Sequence, residues 1–373
     1  MSHNTALLPL NQGPRVILYH QTHHDQNGNP VSILPVITQQ TGITHVIIAA
    51  IHLNDGPHLT LNNDPPSADK FKTLWSEVAW LQASGVKVLG MLGGAAKGSY
   101  AKLDGSQEQV RPITILPYRN SIDVPQFESH YAPLHALITQ QALSGLDLDV
   151  EEPTSLAGIT RLIDRLRTDF GPTFLITLAP VLTALIPHQP HLSGFDHFAL
   201  ERSRGHAISW YNVQFYCGWG DASSTTHYDL AVSCGWSPSR LVLGLVTNPA
   251  NGAGFVEHAV LEGVIARLRE RYPDFGGVMG WEYFNALPGD AARPWEWAGV
   301  VARSARAVRP PTVPGGVGQP MGVPASFTPA PHPFPAESVR TLQELGFSTQ
   351  QAVAALNMTG GNVEYAAGML FQD

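Results

Sequence analysis

Short apolar runs alternate with longer helix-like stretches over residues 14–308 of this 373-residue chain. Several of the runs are apolar at nearly every position, which is typical of strands that a parallel sheet buries on both faces. Amphipathic segments, such as residues 159–170 and 260–272, lie between them. The eight runs span residues 16–19, 45–51, 86–92, 145–151, 174–179, 210–216, 241–246 and 277–281. Strands and helices that alternate in this way predict an α/β fold of the (β/α)8 TIM barrel type.

An open, doubly wound parallel sheet is the competing architecture for the same alternation. Its dinucleotide-binding form carries a G-x-G-x-x-G sequence directly after the first strand. No such sequence follows residues 16–19. The barrel is therefore the favoured prediction.

The composition changes after the barrel region. Residues 309–335 are rich in proline and glycine, which predicts an extended, semi-rigid linker. In residues 336–373, Val339, Leu342 and Leu345 recur at helical spacing, and two further short apolar segments follow. This tail is predicted to be a small bundle of three helices.

Composition and charge restrict the function. Hydrophobic residues make up 43% and charged residues 14% of the chain, which is enough apolar material for a large core. The formal net charge of −8, without a dense run of Lys and Arg, argues against a nucleic acid partner and is compatible with a sugar. Two cysteines build no disulfide framework and match no zinc pattern, so no metal or cofactor is expected.

The sequence also bears on the compartment. No segment approaches the roughly 20 apolar residues that span a membrane. The apolar run at residues 6–10 is too short for the core of a signal peptide and lacks a basic start. A cytoplasmic protein with no membrane partner is the expectation.

The run 145–151 carries acidic residues at alternate positions, Asp147, Asp149 and Glu151. Because side chains in a strand alternate between two faces, these carboxylates share one face and are spaced by roughly 6–7 Å. Burying carboxylates inside a barrel merely to fill space costs much free energy. The carboxyl ends of barrel strands, however, carry the active sites of barrel enzymes. A solvated or metal-binding strand end is the alternative, and the apolar flanking residues disfavour it.

Crowded carboxyls push one another's pKa values apart, so one of them can stay protonated near neutral pH. Glycoside cleavage uses a protonated Glu beside an ionised Asp, since the first protonates the leaving oxygen while the second stabilises positive charge. The acidic run therefore predicts a glycoside hydrolase.

At these residues the chain resembles glycoside hydrolase family 18, whose fourth strand carries the motif D-x-x-D-x-D-x-E. The resemblance covers residues 14–308, and other strand ends match it in the right order. They are Leu92-Gly93-Gly94, Gln214-Phe215-Tyr216 and Gly276-Gly277-Val278-Met279-Gly280-Trp281. The chain departs from the family pattern at Ser144, which replaces the first aspartate, and at Met91-Leu92, which replaces the usual serine pattern.

The resemblance implies substrate-assisted, retaining hydrolysis without an enzyme nucleophile. Glu151 would protonate the leaving oxygen and later activate water. Asp149 would hold the acetamido group and stabilise the oxazolinium charge, with Asp147 sharing its proton. Tyr216 would orient the acetamido oxygen, and Trp281 would form the apolar floor beneath the sugar.

Further substrate-binding residues are expected at the strand ends: Gln214, Tyr19, Gly93, Gly94, Glu282 and Asn285. Core packing is an equal alternative for Tyr19, and capping of the following loop is an equal alternative for Glu282 and Asn285. The neighbouring cluster of His20, His23, His24 and Asp25 fits no settled metal pattern, so a solvent-facing loop is expected there.

Within the family, the residues in and around several motifs are most similar to those of the fungal endo-β-N-acetylglucosaminidases that act on N-glycans. Examples are Tyr19-His20-Gln21-Thr22, Gly93-Gly94-Ala95-Ala96 and Gly280-Trp281-Glu282-Tyr283-Phe284-Asn285. A chitinase that hydrolyses β-1,4-N-acetylglucosamine polymers is the alternative. An inactive, chitinase-like glycan-binding adaptor is the alternative from another class, although the acidic motif keeps its glutamate.

The tail resembles a ubiquitin-associated (UBA) domain. Leu345-Gly346-Phe347 matches the loop after the first helix of that family, and Met369-Leu370-Phe371 matches its apolar end. The resemblance implies a hydrophobic ubiquitin-binding patch. Its expected members are Leu345, Gly346, Phe347, Met369 and Leu370. A tail that merely folds is the alternative.

Overall fold

The computed structural model describes residues 13–104, 124–306 and 334–344, together with Ala352, Val353, Ala355, Leu356 and Val363. By its contacts the chain divides into two compact units, Met1–Arg309 and Pro310–Asp373. No helix in the described part of the chain is long and apolar enough to cross a membrane.

The first unit is a closed barrel of eight parallel strands, which confirms the predicted fold class. Strand β1 pairs with β2 on one side and with β9 on the other, so the sheet has no open edge among these eight. The barrel strands are β1 Arg15–His20, β2 His45–Leu53, β4 Lys87–Gly93, β5 Gly145–Asp149, β6 Leu175–Leu178, β7 Trp210–Gln214, β8 Leu241–Val246 and β9 Gly277–Trp281.

A short ninth strand, β3 Leu59–Leu61, was not predicted. It runs antiparallel to the end of β2, with Ile51 opposite Leu61. Its three residues are too few for a period-2 pattern to stand out from the polar residues around them. The hairpin extends β2 beyond the barrel at the carboxyl-end rim.

Helices surround the barrel and bury their apolar faces against it. In α5, four aliphatic residues at helical spacing are buried, and Ser155 caps the first turn by accepting a hydrogen bond from Gly158. The helices of this unit are α1 Pro35–Thr38, α2 Lys72–Ala83, α3 Ser99–Asp104, α4 Val124–Gln140, α5 Leu156–Phe170, α6 His197–Arg204, α7 Thr226–Ser233, α8 His258–Arg271 and α9 Glu296–Arg306.

The barrel interior holds a second core, distinct from the one between sheet and helices. Ile17, Ile47, Leu89, Val242 and Met279 pack together inside the barrel. At the carboxyl ends of the strands this apolar filling gives way to buried polar groups. These are Asp147, Thr177 and Asn212, all fully buried. Polar atoms at this depth need hydrogen-bond partners, and their pairing positions the candidate site.

Two histidines of the cluster at the end of β1, His20 and His23, are buried, so the prediction that they face solvent is wrong, whereas Asp25 in the loop that follows is exposed as expected. His20 is fully buried and packs edge-on against His23 and Tyr283, at ring-centroid distances of 4.7 and 5.4 Å. His23 pairs its Nε2 with the carbonyl of Ala49 at 2.9 Å. Phe71, far along the chain, covers His23, and sequence spacing carries no information about such a neighbour.

Buried neutral histidines are expected to make the barrel less stable in acid. Burial lowers the pKa of His23 from 6.5 to about 4 and that of His197 to about 3. Between pH 6.5 and about 4 the unfolded chain binds protons that the folded chain does not, so stability falls as the pH falls. For His23 the loss is on the order of 3 kcal/mol, at about 1.4 kcal/mol per pKa unit.

Urea unfolding at pH 7 and pH 4.5, followed by tryptophan fluorescence, measures this loss in the barrel, because all eight tryptophans lie within residues 75–297. His23→Gln should flatten the pH dependence, whereas the exposed His206→Gln serves as the matched control. An equal pH dependence in the His23→Gln variant would contradict the assignment.

The second unit contains helix α10, Ala336–Glu344. Val339 and Leu342 of this helix are buried with Ala352, Ala355 and Leu356 in a small core of their own. The predicted ubiquitin-binding residues, Leu345, Gly346, Phe347, Met369 and Leu370, lie outside the described residues. So does the predicted linker 309–335, except for Phe334 and Pro335.

Candidate active site

The three acidic residues of the motif lie at the end of β5. Asp147 and Asp149 point into the barrel, whereas Leu146 and Leu148 pack in the core between sheet and helices, as the period-2 pattern predicts. Glu151 follows the strand by two residues and is partly exposed at the rim. The three carboxyls, which we call the acidic ladder, therefore become more exposed in sequence order, from Asp147 in the barrel interior to Glu151 at the solvent.

Asp147 is held by side chains from three other strands. Its carboxylate accepts hydrogen bonds from the Tyr19 hydroxyl at 2.7 Å, from Asn212 Nδ2 at 3.0 Å and from the Thr177 hydroxyl. Burial raises the pKa of Asp147, although these donors oppose the shift. The geometry makes Asp147 a fixed group beneath Asp149.

Gln214 joins the two outer carboxyls. Its Nε2 donates to Asp149 Oδ1 at 3.3 Å and to Glu151 Oε1 at 3.1 Å, and it also contacts the carbonyl of Ala179 at 2.9 Å. Gln214 thus bridges the buried carboxyl and the one at the rim, whereas the sequence suggested only a substrate contact for it.

The pKa of Asp149 is raised well above its usual range. Burial is the largest cause, followed by the negative charges of Glu151 and Asp147. The sequence predicted that one of the crowded carboxyls stays protonated, and took the glutamate as the protonated group beside an ionised aspartate. In the structure, the shift towards the protonated form is largest for Asp149, which is buried between the acidic side chains of Asp147 and Glu151.

A cavity of about 430 Å³ lies over these carboxyls at the carboxyl ends of the strands. The predicted residues Asp149, Glu151, Gln214, Tyr216 and Trp281 all line it. The Trp281 ring packs at a tilt on the ring of Tyr19, with 5.5 Å between the ring centroids. Burial and the nearby carboxyls raise the pKa of the Tyr216 phenol well above its usual range, so this hydroxyl remains a hydrogen-bond donor at neutral pH.

Gly93 and Gly94 form one edge of the cavity, and at Gly93 only glycine fits. Its φ is +94°, and a Cβ there would lie 2.4 Å from the Asp149 carbonyl oxygen and 2.5 Å from the Tyr100 ring. The amide of Gly94 donates to that same carbonyl at 2.9 Å. The two glycines therefore let the end of β4 approach the acidic strand closely.

Glu282 and Asn285, predicted to contact substrate, instead hold the residues that do line the cavity. Glu282 is buried and accepts hydrogen bonds from the amides of Gln21 at 3.0 Å and Thr22 at 2.8 Å. Asn285 exchanges hydrogen bonds with Asn251 at 2.8 and 2.9 Å. Gln21 and Asn251 line the cavity, whereas Glu282 and Asn285 do not.

Tyr19 packs in the core, which the sequence left open as the alternative to a substrate contact. It is buried in the barrel interior, outside the lining of the cavity, and acts on the site through its hydrogen bond to Asp147.

Sequence reasoning missed several residues that line the cavity. They are Gln21, Trp219 and Asn251, which follow β1, β7 and β8, and His52, which lies near the end of β2. A position just after a barrel strand is the available signal, since all such positions meet at one rim. Each loop bends differently, however, so the sequence does not say which of its residues turns inward.

The arrangement suits acid catalysis on a sugar. A carboxyl at the rim can exchange protons with a substrate and with water, a buried carboxyl can face a developing positive charge, and aromatic walls match the faces of pyranose rings. No group of three or more His, Cys, Asp or Glu side chains in the described ranges is placed to hold a metal ion.

Solved structures that are similar to this chain include two fungal proteins. A fungal endo-β-N-acetylglucosaminidase from glycosyl hydrolase family 18 is 46% identical with a TM-score of 0.72, and the match covers 79% of this chain and 98% of that one. A chitinase from Aspergillus fumigatus is 53% identical with a TM-score of 0.68, and covers 76% of this chain and 97% of that one.

Among curated proteins, chitinase 2 of Rhizopus oligosporus is 25% identical over 297 residues, which is 74% of this chain and 50% of that protein. The chain thus spans about half the length of this relative. The UBA/TS-N domain model matches residues 334–370, which confirms the resemblance of the tail to a UBA domain.

Proposed function

Because the chain belongs to glycoside hydrolase family 18, we propose that it is a retaining glycosidase that hydrolyses the β-1,4 bond between two N-acetylglucosamine residues. The observation that carries the proposal is the bridge that Gln214 makes between buried Asp149 and Glu151, beside Tyr216 and Trp281 in one cavity. A sugar seated on Trp281 would lie against both carboxyls.

In the proposed reaction the acetamido oxygen of the substrate attacks its own anomeric carbon. Glu151 protonates the leaving oxygen and afterwards takes a proton from the attacking water. The Tyr216 hydroxyl donates to the acetamido oxygen and holds it in line. Asp149 faces the oxazolinium, whose positive charge favours the ionised form of that carboxyl. Asp147, whose pKa burial also raises, is the neighbour that can share the displaced proton.

We take the N,N'-diacetylchitobiose core of N-glycans as the substrate. Support comes from the fungal endo-β-N-acetylglucosaminidase, which is 46% identical with 98% of its length covered. The motif residues that resemble that branch of the family also support it. Chitin is the second candidate, since the chitinase from Aspergillus fumigatus is 53% identical. The inactive adaptor is disfavoured because Glu151, Asp149 and Tyr216 are all present at one cavity.

Mass analysis of products separates the candidates. The full chain is incubated with a high-mannose glycoprotein and, separately, with an oligomer of N-acetylglucosamine. The proposal expects a protein that keeps one N-acetylglucosamine and a released glycan that ends in the other. Cleavage of the oligomer alone would replace the proposal with chitinase activity, and no cleavage of either would favour the adaptor.

The second unit is proposed to bind ubiquitin through Leu345, Phe347 and Leu370. Its match to the UBA model over residues 334–370 supports this. Titration of the full chain with ¹⁵N-labelled ubiquitin should shift ubiquitin resonances, and Phe347→Ala should abolish the shifts. Unchanged ubiquitin spectra at millimolar concentration would exclude the partner.

A further inference from the structure

A second cavity adjoins the catalytic one and is not used by the proposed reaction. Its volume is about 600 Å³, and we name it the side chamber. His52 and Ala96 line both the side chamber and the catalytic cavity, so the two are neighbours across a shared wall. Volumes of about 300–1,000 Å³ are those of ligand sites in proteins. A substrate seated at Glu151 therefore meets a second space of ligand size.

The walls of the side chamber are tied in place. The β2–β3 hairpin is braced by Asn54 Nδ2, which donates to the Thr60 hydroxyl oxygen at 3.2 Å. The amide of Leu53 donates to Ser99 Oγ at 3.1 Å, which joins the hairpin to the start of α3. On the opposite side, Lys102 donates to the carbonyl of Gly98 at 3.1 Å. Fixed walls lower the cost of ordering a site when a ligand binds.

Three other polar side chains of the side chamber are available to bind a ligand. His58, Asn63 and Lys97 line it, are exposed, and have side chains with no hydrogen bond or ion pair to any residue in the described ranges. They offer donors from both sides of the chamber, since His58 and Asn63 flank β3 and Lys97 follows β4. The described lining contains no Trp, Tyr or Phe, so stacking on a sugar face is not what it provides.

We propose that the side chamber binds a mannose branch of the glycan whose chitobiose core occupies the catalytic cavity. The inference rests on the proposed function and adds to it the residues that separate branched from linear substrates. A branch rich in hydroxyl groups meets the unpaired donors and acceptors of His58, Asn63 and Lys97. A linear oligomer of N-acetylglucosamine places no branch there and does not need them.

Kinetics on two substrates test the proposal. The triple variant His58→Ala/Asn63→Ala/Lys97→Ala should lower kcat/KM on a high-mannose glycopeptide by about 10–100-fold, the loss of two or three hydrogen bonds at about tenfold per 1.4 kcal/mol. On N-acetylchitotetraose the kcat/KM of the triple variant should stay within about twofold of the wild-type value, because this substrate has no mannose branch to lose contacts. Lys72→Ala, on the exposed start of α2, is the matched control and should change neither.

A binding measurement separates failure of this inference from failure of the proposed function. Wild-type protein is titrated by calorimetry with a branched mannopentaose, which contains no N-acetylglucosamine and has no scissile bond. Binding that the triple variant loses supports the side chamber even if no substrate is cleaved. Equal losses of kcat/KM on the glycopeptide and the chitotetraose would overturn it in favour of a linear-chain subsite. Absence of mannopentaose binding together with unchanged glycopeptide kinetics would also overturn it.

Discussion

Replacing Glu151 with glutamine is expected to lower kcat on glycoside substrates by about 10²–10⁴-fold, the usual contribution of general acid–base catalysis. Glutamine keeps the shape of the side chain and can still pair with Gln214, but it cannot give or take a proton. Because Glu151 is at the rim and only partly buried, the fold should tolerate the change, and the melting temperature should stay near that of the wild type.

The measurement is turnover of a chitobiose-containing substrate, with the anomer of the first product read by NMR. Glu257→Gln, an exposed glutamate at the start of α8, is the control and should keep full activity. The wild type should release β product first, because two inversions occur at the same carbon. Near-normal turnover by Glu151→Gln, or early release of α product, would show that the substrate-assisted assignment is wrong.

Asp149→Asn is expected to slow glycoside hydrolysis by about 10²-fold or more, a loss of the size seen when a group that stabilises transition-state charge is removed. The asparagine Oδ1 can still accept the hydrogen bond from Gln214, which preserves the local geometry. The neutral amide cannot balance the positive charge of the oxazolinium. Formation of that intermediate should therefore suffer more than its consumption.

A preformed oxazoline donor separates these two steps, because it needs no protonated leaving group. The Asp149→Asn variant should consume the oxazoline and transfer the sugar to an acceptor while it hydrolyses the glycoside slowly. Asp290→Asn, at an exposed position with positive φ that asparagine tolerates, is the control. Equal losses on the glycoside and on the oxazoline would assign Asp149 to positioning of the substrate alone.

The two variants differ because the carboxyls lie at different depths. Asp149 is buried with its pKa raised by its surroundings, whereas Glu151 is open to solvent beside the cavity. The side-chain amide of Gln214 donates hydrogen bonds to both carboxyls, so a change of charge on one carboxyl alters the hydrogen bonding of the other. Such an arrangement allows one carboxyl to exchange protons with water while the other responds to charge on the sugar.

The sequence alone determined the barrel and the acidic ladder. Continuous apolar runs at eight places predict strands buried on both faces, and the observed strands fall at those places. The alternation of Leu and Asp in residues 146–149 assigns each side chain to the core or to the interior, because the strand period is two. These are local properties, and a short window of residues contains all the information they need.

The tertiary structure decided what surrounds the ladder. Strand β3, the burial of His20 and His23 under Phe71, and the use of Glu282 to hold the loop after β1 all join residues far apart in the chain. Gln21, His52, Trp219 and Asn251 reach one cavity only because eight strand ends meet when the barrel closes. Burial in that closed barrel is also the largest cause of the raised pKa values of Asp147 and Asp149, since desolvation depends on every element packed around the group.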